Sequence, residues 1–278
     1  MVNTNILNIE YSVLMSLYIK ENPIFLRESI ESMLNQTIKP SEIVIVKDGP
    51  LTDELEFILE KYLEEYPLLF NIIDSKENLG LGRALNLGIN YCKHELIARM
   101  DTDDISKPNR CEKEIEVLLK DEKISVIGSW VDEFSGNTEN ILSTRKVPGE
   151  YKDIYEYCKR RNPFNHPSVM YRKKDILEVG GYSNLRYGQD YELFGRMMIK
   201  GYQAKNISES LVYFRVNDNM FARRKNLESI KSYIDTVKYF KSQNYSSILD
   251  YLFVAITQMS LYLLPKSIVK KMYSLIRK

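Results

Sequence analysis

Apolar residues recur with two alternating periods along the first hundred positions. Ser12 to Leu17 is an apolar run of strand length. Leu26, Ile30, Met33 and Leu34 then fall at i, i+4, i+7 and i+8, one face of a helix. Asn22 and Pro23 precede that face. Asparagine suits the N-cap, and proline at the first helical position gives up an N–H that has no partner there anyway. Ile43-Val44-Ile45-Val46 is a β-branched strand that stops at the turn signal Lys47-Asp48-Gly49-Pro50. A helix from about Thr52 to Glu65, a strand over Phe70 to Asp74, a helix over Leu81 to Tyr91 and a strand over Leu96 to Met100 complete the rhythm. It ends on Asp101-Thr102-Asp103-Asp104. This alternation predicts an α/β fold with a doubly wound, mostly parallel sheet flanked by helices. Ligands of such sheets bind outside the carboxyl ends of the strands, and Asp48 and Asp101 to Asp104 sit at two of those ends.

After Pro108 the alternation weakens. A helix near Arg110 to Lys120 precedes two short strands, Ile124 to Gly128 and Val131 to Phe134. Residues 150–220 mix short elements with polar motifs. From Ala222 to Gln243 the pattern is helical and basic, and from Ile248 to Leu264 strongly apolar. The expected division is an α/β domain over 1–221 and a helical, apolar and basic C-terminal extension over 222–278. The 248–264 run, with Asp250 as its one charge, is at the short end of what crosses a bilayer. Lys266, Lys270, Lys271, Arg277 and Lys278 follow it and suit anionic lipid headgroups. A core helix, an interfacial helix and a spanning helix all fit the string; peripheral attachment through residues 248–278 is favoured. Met1 to Tyr11 lacks a basic stretch followed by an apolar one, so no secretory signal is expected and the catalytic part is placed in the cytoplasm.

Composition narrows the function. The 278 residues carry 39 Lys+Arg against 38 Asp+Glu, a net charge of +1, which argues against a nucleic-acid binder. The three cysteines, Cys92, Cys111 and Cys158, are too scattered for a disulfide framework or a zinc site, so free thiols are expected.

Six motifs can carry chemistry. Clustered carboxylates at Asp101, Asp103 and Asp104 repel one another, and an oxygen-only set suits Mg2+ or Mn2+. The alternative is a solvated acidic start to the next helix. Asp48 could accept hydrogen bonds from a base or ribose, or merely close a turn. Asn78-Leu79-Gly80-Leu81-Gly82-Arg83-Ala84-Leu85 looks like a phosphate loop. It is no dinucleotide fingerprint, because Leu85 stands where the third glycine belongs, yet Arg83 on the first helical turn could reach a diphosphate. Asp190, at the start of an amphipathic helix, is either a cap or a base. His166, in Asn165-His166-Pro167-Ser168, lacks partners for zinc. Arg215, Asn219, Arg223 and Arg224 follow a strand and could close over a charged leaving group.

In this order the motifs resemble glycosyltransferase family 2, over roughly residues 11–225. The match is carried by Ser12 to Tyr18, by Leu34-Asn35-Gln36-Thr37 and by Val46-Lys47-Asp48-Gly49. It is most similar to bacterial enzymes of exopolysaccharide, capsule and O-antigen assembly, the amylovoran type. The resemblance implies the GT-A fold and transfer of a sugar from a nucleoside diphosphate sugar, UDP foremost, with Mn2+ or Mg2+. It implies that Asp48 binds the nucleobase beside Tyr18 and that Asp101 contacts ribose or sugar. Asp103 would hold the metal, with Asp104 as second candidate, and Asp190 would be the general base of an inverting transfer. His166 would line the acceptor side. The acceptor would be a lipid-linked glycan, reached from the inner face of the plasma membrane. Lys47-Asp48-Gly49-Pro50 departs from the commoner acidic-Asp-Gly-Ser ending. No QxxRW string is present, so single-sugar addition is expected rather than polymerisation. Two other readings stay open: a sugar nucleotidyltransferase, which lacks here its glycine-rich loop after the first strand, and a non-catalytic nucleotide-sugar binder.

Overall fold

The computed structural model describes residues 8–216 and 226–264. Asn219, Arg223, Arg224 and the lysine-rich stretch from Lys266 lie outside the described residues. Four parallel strands open the chain: β1 (Tyr11–Leu17), β2 (Glu42–Lys47), β3 (Phe70–Asp74) and β4 (Leu96–Arg99). Helices α1 (Pro23–Leu34), α2 (Asp53–Glu65) and α3 (Leu81–Tyr91) connect them. Asn22 caps α1 through a bond from the Ile24 N–H, and Thr52 caps α2 through the Leu55 N–H. The strands stand in the order β3-β2-β1-β4, so β1 lies between its two neighbours, with Leu14 opposite Val44 on one side and Arg99 on the other.

The second half is built differently. β5 (Ile105–Ser106), α4 (Arg110–Lys120), β6 (Ile124–Phe134), β7 (Ile141–Arg145), α5 (Tyr151–Cys158), β8 (Met170–Arg172), α6 (Lys173–Glu178), α7 (Gln189–Ile199) and β9 (Gln203–Arg215) follow in turn. β8 runs antiparallel to both β4 and β6, and β6 runs parallel to β9. Antiparallel neighbours need no crossover helix, which is why the alternation fades after Pro108. The two strands expected at 124–128 and 131–134 are one. β9 pairs along the whole of β6, and register shifts around Trp130 absorb the irregular middle.

One apolar layer covers each face of the sheet. Val13, Met15, Ile43 and Ile45 pack with Leu26, Ile30, Leu55 and Ile115 from α1, α2 and α4. Leu14, Val44 and Val46 pack with Leu85, Phe194 and Met197 from α3 and α7. This period-2 division of each strand explains its continuous apolar reading: both faces are buried. Two further helices, α8 (Leu227–Ser242) and α9 (Ile248–Leu263), add Val237, Phe240 and Val254 to the second layer. The expected basic helix from Ala222 is described from Leu227, with Asn226 as its cap. Asp250 does not interrupt α9. It completes a capping box with Ser247 and pairs with Arg160 at 2.5 Å. All three cysteines are buried and free.

Candidate active site

Two groups of polar residues meet at the carboxyl ends of β1, β2 and β4. The first group stands on the strand ends themselves. Among the described residues, Asp101, Asp103 and Asp104 are the one group of acidic, histidine or cysteine side chains placed to hold a metal, with ligand oxygens within 4.8 Å of one another. The loop is fixed by its backbone and neighbours. Ser29 on α1 donates to the Asp101 carbonyl at 2.7 Å, and Thr102 donates to Glu21 at 2.6 Å. Glu21 in turn donates its backbone N–H to the Tyr18 carbonyl, which ties the end of β1 to the acidic loop. The Arg215 N–H donates to Asp104 Oδ1 at 2.7 Å, while Asp104 Oδ2 is buried with no partner. Burial pushes the Asp103 carboxyl up to about 7, helped by the charges of Asp101 and Glu21. Burial and then the Asp103 and Asp101 charges hold Asp104 well above the usual carboxylate range.

Asp48 is 5% exposed at the end of β2. Its two carboxylate oxygens accept the backbone N–H groups of Leu79, at 2.5 Å, and Gly80, at 3.1 Å. Burial raises its pKa, against those two amides and the Arg83 charge. Asp48 therefore pins the glycine turn that starts α3, where Gly80 holds φ +82° and Arg83 stands exposed on the first turn. A cleft of about 270 Å³ lies between this turn and residues 183–186 and includes Arg83. A larger groove, between α1 and α2, contains none of the sequence-predicted residues. Tyr18 is half-buried just past β1.

The second group comes from far along the chain. Asp190 is half-buried in the first turn of α7, after Gly188 at φ +72°. The N-cap position is Gly188 rather than Asp190, and the Asp190 carboxylate takes a hydrogen bond from the Tyr191 N–H of the same first turn. Asn162 Nδ2 donates to Asp190 Oδ2 at 2.7 Å, and Asn162 Oδ1 accepts the Phe164 N–H at 3.1 Å. Loss of water raises the Asp190 pKa; the Tyr191 N–H and the Arg99 charge oppose that rise. His166 is buried in a short 3-10 turn, its Nε2 2.8 Å from the Tyr182 hydroxyl. Burial and then Arg99 hold its pKa well below the ordinary value, so the ring is neutral. Asn86 on α3 grips the Tyr182 backbone twice, donating to its carbonyl and accepting its N–H, both at 2.7 Å.

Arg99 joins the groups. Its guanidinium is 1% exposed and forms an ion pair with Asp101. Its charge reaches Asp103, Asp104, His166, Tyr182 and Asp190. Burial would lower its own pKa, but Asp101 outweighs that and holds it raised. Its Nε and Nη1 are buried without partners. Beneath it, the fully buried Arg110–Glu114 pair donates from Arg110 Nη2 to the carbonyls of Arg99 and Val169, at 2.8 and 3.1 Å. Sequence reasoning passed over Arg99, although a charge at the end of the apolar run Leu96-Ile97-Ala98 must be paired once buried. It also passed over Asn162 and Tyr182, for which the string carries no local signal. Arg215 is placed at the acidic loop, with its donors on protein acceptors: Asp103 O at 2.8 Å, Gly136 O at 3.3 Å and Glu28 at 2.5 Å. Its guanidinium lies over Phe25 and Phe134.

A parallel half-sheet with an acidic cluster beyond its fourth strand, extended by an antiparallel half that carries a second carboxylate, is the GT-A glycosyltransferase architecture. Solved structures share it. The mannosyltransferase PcManGT from Pyrobaculum calidifontis, in complex with GDP-Man and Mn2+, superposes with a TM-score of 0.61 at 14% identity, over 96% of this chain and 79% of that one. TarS 1-349 of S. aureus in complex with UDP gives a TM-score of 0.58 at 17% identity, over 86% and 73%. The glycosyl transferase family 2 model matches residues 12–181, and the chain belongs to that family: it is a glycosyltransferase. Relatives of known role are similar along most of their length. A UDP-Gal:alpha-D-GlcNAc-diphosphoundecaprenol beta-1,3-galactosyltransferase of Escherichia coli is 36% identical over 260 residues, 93% of each chain. The amylovoran biosynthesis glycosyltransferase AmsE of Erwinia amylovora is 37% identical over 222 residues, 80% of this chain and 82% of the relative.

Proposed function

We propose that the protein transfers one sugar, with inversion, from a UDP-sugar to a lipid-linked repeat unit of a surface polysaccharide. The observation that carries this is the acidic cluster with its orphaned, fully buried Asp104 oxygen, coupled through Arg99 to a second carboxylate at Asp190. Three crowded carboxylates and one buried oxygen without a donor are a poor arrangement for uncompensated negative charge and a good one for a hard divalent cation. Asp103 would hold Mn2+ or Mg2+, with Asp104 and Asp101 beside it. Bound there, the ion would offset charge developing on the leaving diphosphate. Arg83, exposed and lining the 270 Å³ cleft, would reach that diphosphate. Arg215, Arg223 and Arg224 are assigned to the same side. For Arg215 the role is to hold the acidic loop in shape, since its N–H groups already have acceptors. Asp48 with Tyr18 would receive the base, and Asp101 the ribose or sugar.

Asp190 acts as the base. Its Oδ2 is held by Asn162, which leaves Oδ1 to take the proton of an acceptor hydroxyl as that oxygen attacks the anomeric carbon. His166, neutral and hydrogen-bonded to Tyr182, lines the acceptor side without adding charge. UDP is favoured because a close relative is a UDP-Gal enzyme and a structural neighbour holds UDP. The lipid-linked acceptor is favoured by the same relative's diphosphoundecaprenol substrate, and such an acceptor would be met by an enzyme peripheral to the inner face of the plasma membrane. Calorimetric titration with UDP, GDP and dTDP, with and without Mn2+, tests the donor site. Metal-dependent binding of UDP that disappears in Asp103→Asn is expected. Folded protein that binds none of the three nucleotides would refute the donor-site assignment.

A further inference from the structure

Helix α9 has two unlike faces. Val254 and Asp250 are buried against the body of the protein, Asp250 held by Ser247 and by Arg160, whose guanidinium also covers part of the Phe253 ring. On the other side Leu249, Leu252, Phe253, Ile256, Met259 and Leu263 recur three and four residues apart, the spacing of one helical stripe. All six are exposed: Leu249 is 69%, Ile256 64% and Leu263 75% accessible. The helix itself puts no charged side chain on that stripe, since Asp250 is its one charge and is buried on the other face; Arg160 borders the stripe at Phe253. Elsewhere among the described residues exposed large apolar side chains occur singly or, at Ile141 and Leu142, as one adjacent pair, which calls for no explanation. A continuous stripe of six does.

We propose that this stripe of α9 is a membrane-facing surface that lies in the headgroup boundary of an anionic bilayer. Three observations select that partner. No helix among the described residues is long and apolar enough to cross a membrane. The 16 residues of α9 make about 24 Å of helix against a hydrocarbon core of about 30 Å, and its inner face is already packed, so it lies along the surface rather than spanning. The chain continuing beyond α9 carries Lys266, Lys270, Lys271, Arg277 and Lys278 and no acidic residue, a charge complement to anionic headgroups next to the apolar stripe. In that same stretch Ile268, Met272, Leu275 and Ile276 alternate with the lysines, the pattern of a basic amphipathic segment. A second copy of the chain is a poorer match, because both copies would bring the same basic run, which follows the helix in sequence. The inference draws its biological sense from the lipid-linked acceptor proposed above, but its geometry is independent of the donor site.

The test is co-sedimentation of the purified full chain with vesicles of phosphatidylethanolamine and phosphatidylglycerol, and with vesicles of phosphatidylcholine alone. Binding to the anionic vesicles is expected, weakened by salt. Leu252→Glu/Ile256→Glu should reduce it at least about tenfold, because two charges replace buried apolar groups. Lys270→Glu/Lys271→Glu should reduce it by about fivefold or more per residue at low salt. Both variants should keep the wild-type melting temperature and the metal-dependent UDP titration, which separates failure here from failure of the donor-site reading. Wild-type protein that stays in the supernatant with both vesicles overturns the proposal. So does a Leu252→Glu/Ile256→Glu variant that sediments like wild type, or a wild-type dimer that the variant turns into a monomer.

Discussion

The two sides of the site are held in place by different means. On the proposed donor side, backbone groups take part in most anchors, beside the Arg99–Asp101 ion pair. Asp48 takes two amides of the α3 turn, Asp104 takes the Arg215 amide, and the Asp101 carbonyl takes Ser29. On the proposed acceptor side they are fixed by side chains from segments distant in sequence: Asn162 on Asp190, Tyr182 on His166, and Asn86 of α3 on the Tyr182 backbone. Backbone anchors survive most substitutions, whereas a side-chain relay fails at one. The donor side should therefore be robust except at its own carboxylates, and the acceptor side should be sensitive to neighbours that touch no substrate.

The largest effects separate the sides outright. Asp103→Asn and Asp190→Asn should each lower sugar transfer by about 100-fold to 10,000-fold. Only Asp103→Asn should abolish metal-dependent nucleotide binding in calorimetry. Loss of that binding in both variants would break the division. Next comes the relay. Asn162→Ala removes a hydrogen bond to a carboxylate and should cut turnover about 10-fold to 100-fold with nucleotide binding intact. Without its donor the Asp190 carboxylate holds its proton more tightly, so the acidic limb of the pH–rate profile moves to higher pH. An unchanged limb would remove Asn162 from the positioning role.

A stability contrast is smaller. Gly181 and Gly80 both have φ in the left-handed region, at +67° and +82°, but a Cβ on Gly181 would meet Asn86 Oδ1 at 2.4 Å while Gly80 has open space around it. Gly80→Ala should cost about 1–2 kcal/mol of backbone strain. Gly181→Ala should cost about 1–3 kcal/mol more, by displacing Asn86 from Tyr182. Equal losses in denaturant melts would show that the Asn86 clamp is slack.

The mildest effect is on pH. Asp48, Asp103, Asp104, Asp190 and Glu114 are all raised by burial, Asp103 and Glu114 to about 7. Each keeps its proton to higher pH folded than unfolded, so the folded state binds more protons across that window. Stability of the metal-free protein is then greatest near pH 5 and declines as pH rises toward about 8. A melting temperature that climbs over that range would contradict the burial of these carboxylates. Mn2+ should flatten the donor-side share of the slope and leave the Glu114 and Asp190 share.

Most of the first half was legible in the string. Asn22-Pro23, Thr52 and the β-branched runs announce their elements because capping and period are local, set by residues three or four apart. The end of β4 was legible too, as an apolar run meeting Asp101 to Asp104. The later half was less so. The single β6 was read as two strands, because what makes it one is pairing with β9 some eighty positions on, and no short-range period records that.

What the sequence determined by itself is the set of elements in the first hundred residues, the placement of two acidic groups at strand ends, the family, and an apolar C-terminal segment followed by lysines. Tertiary structure decided which side chains those groups meet. It put Asn162 on Asp190, buried Arg99 between the acidic cluster and the Asp190–His166 group, turned Asp48 onto the α3 amides, committed Arg215 to the acidic loop and split α9 into a packed face and a bare one. The reason is range. Periodicity and capping act within a turn or two of the chain, while a buried polar group takes whatever partner the packed fold brings within about 3 Å, however far away it lies in sequence.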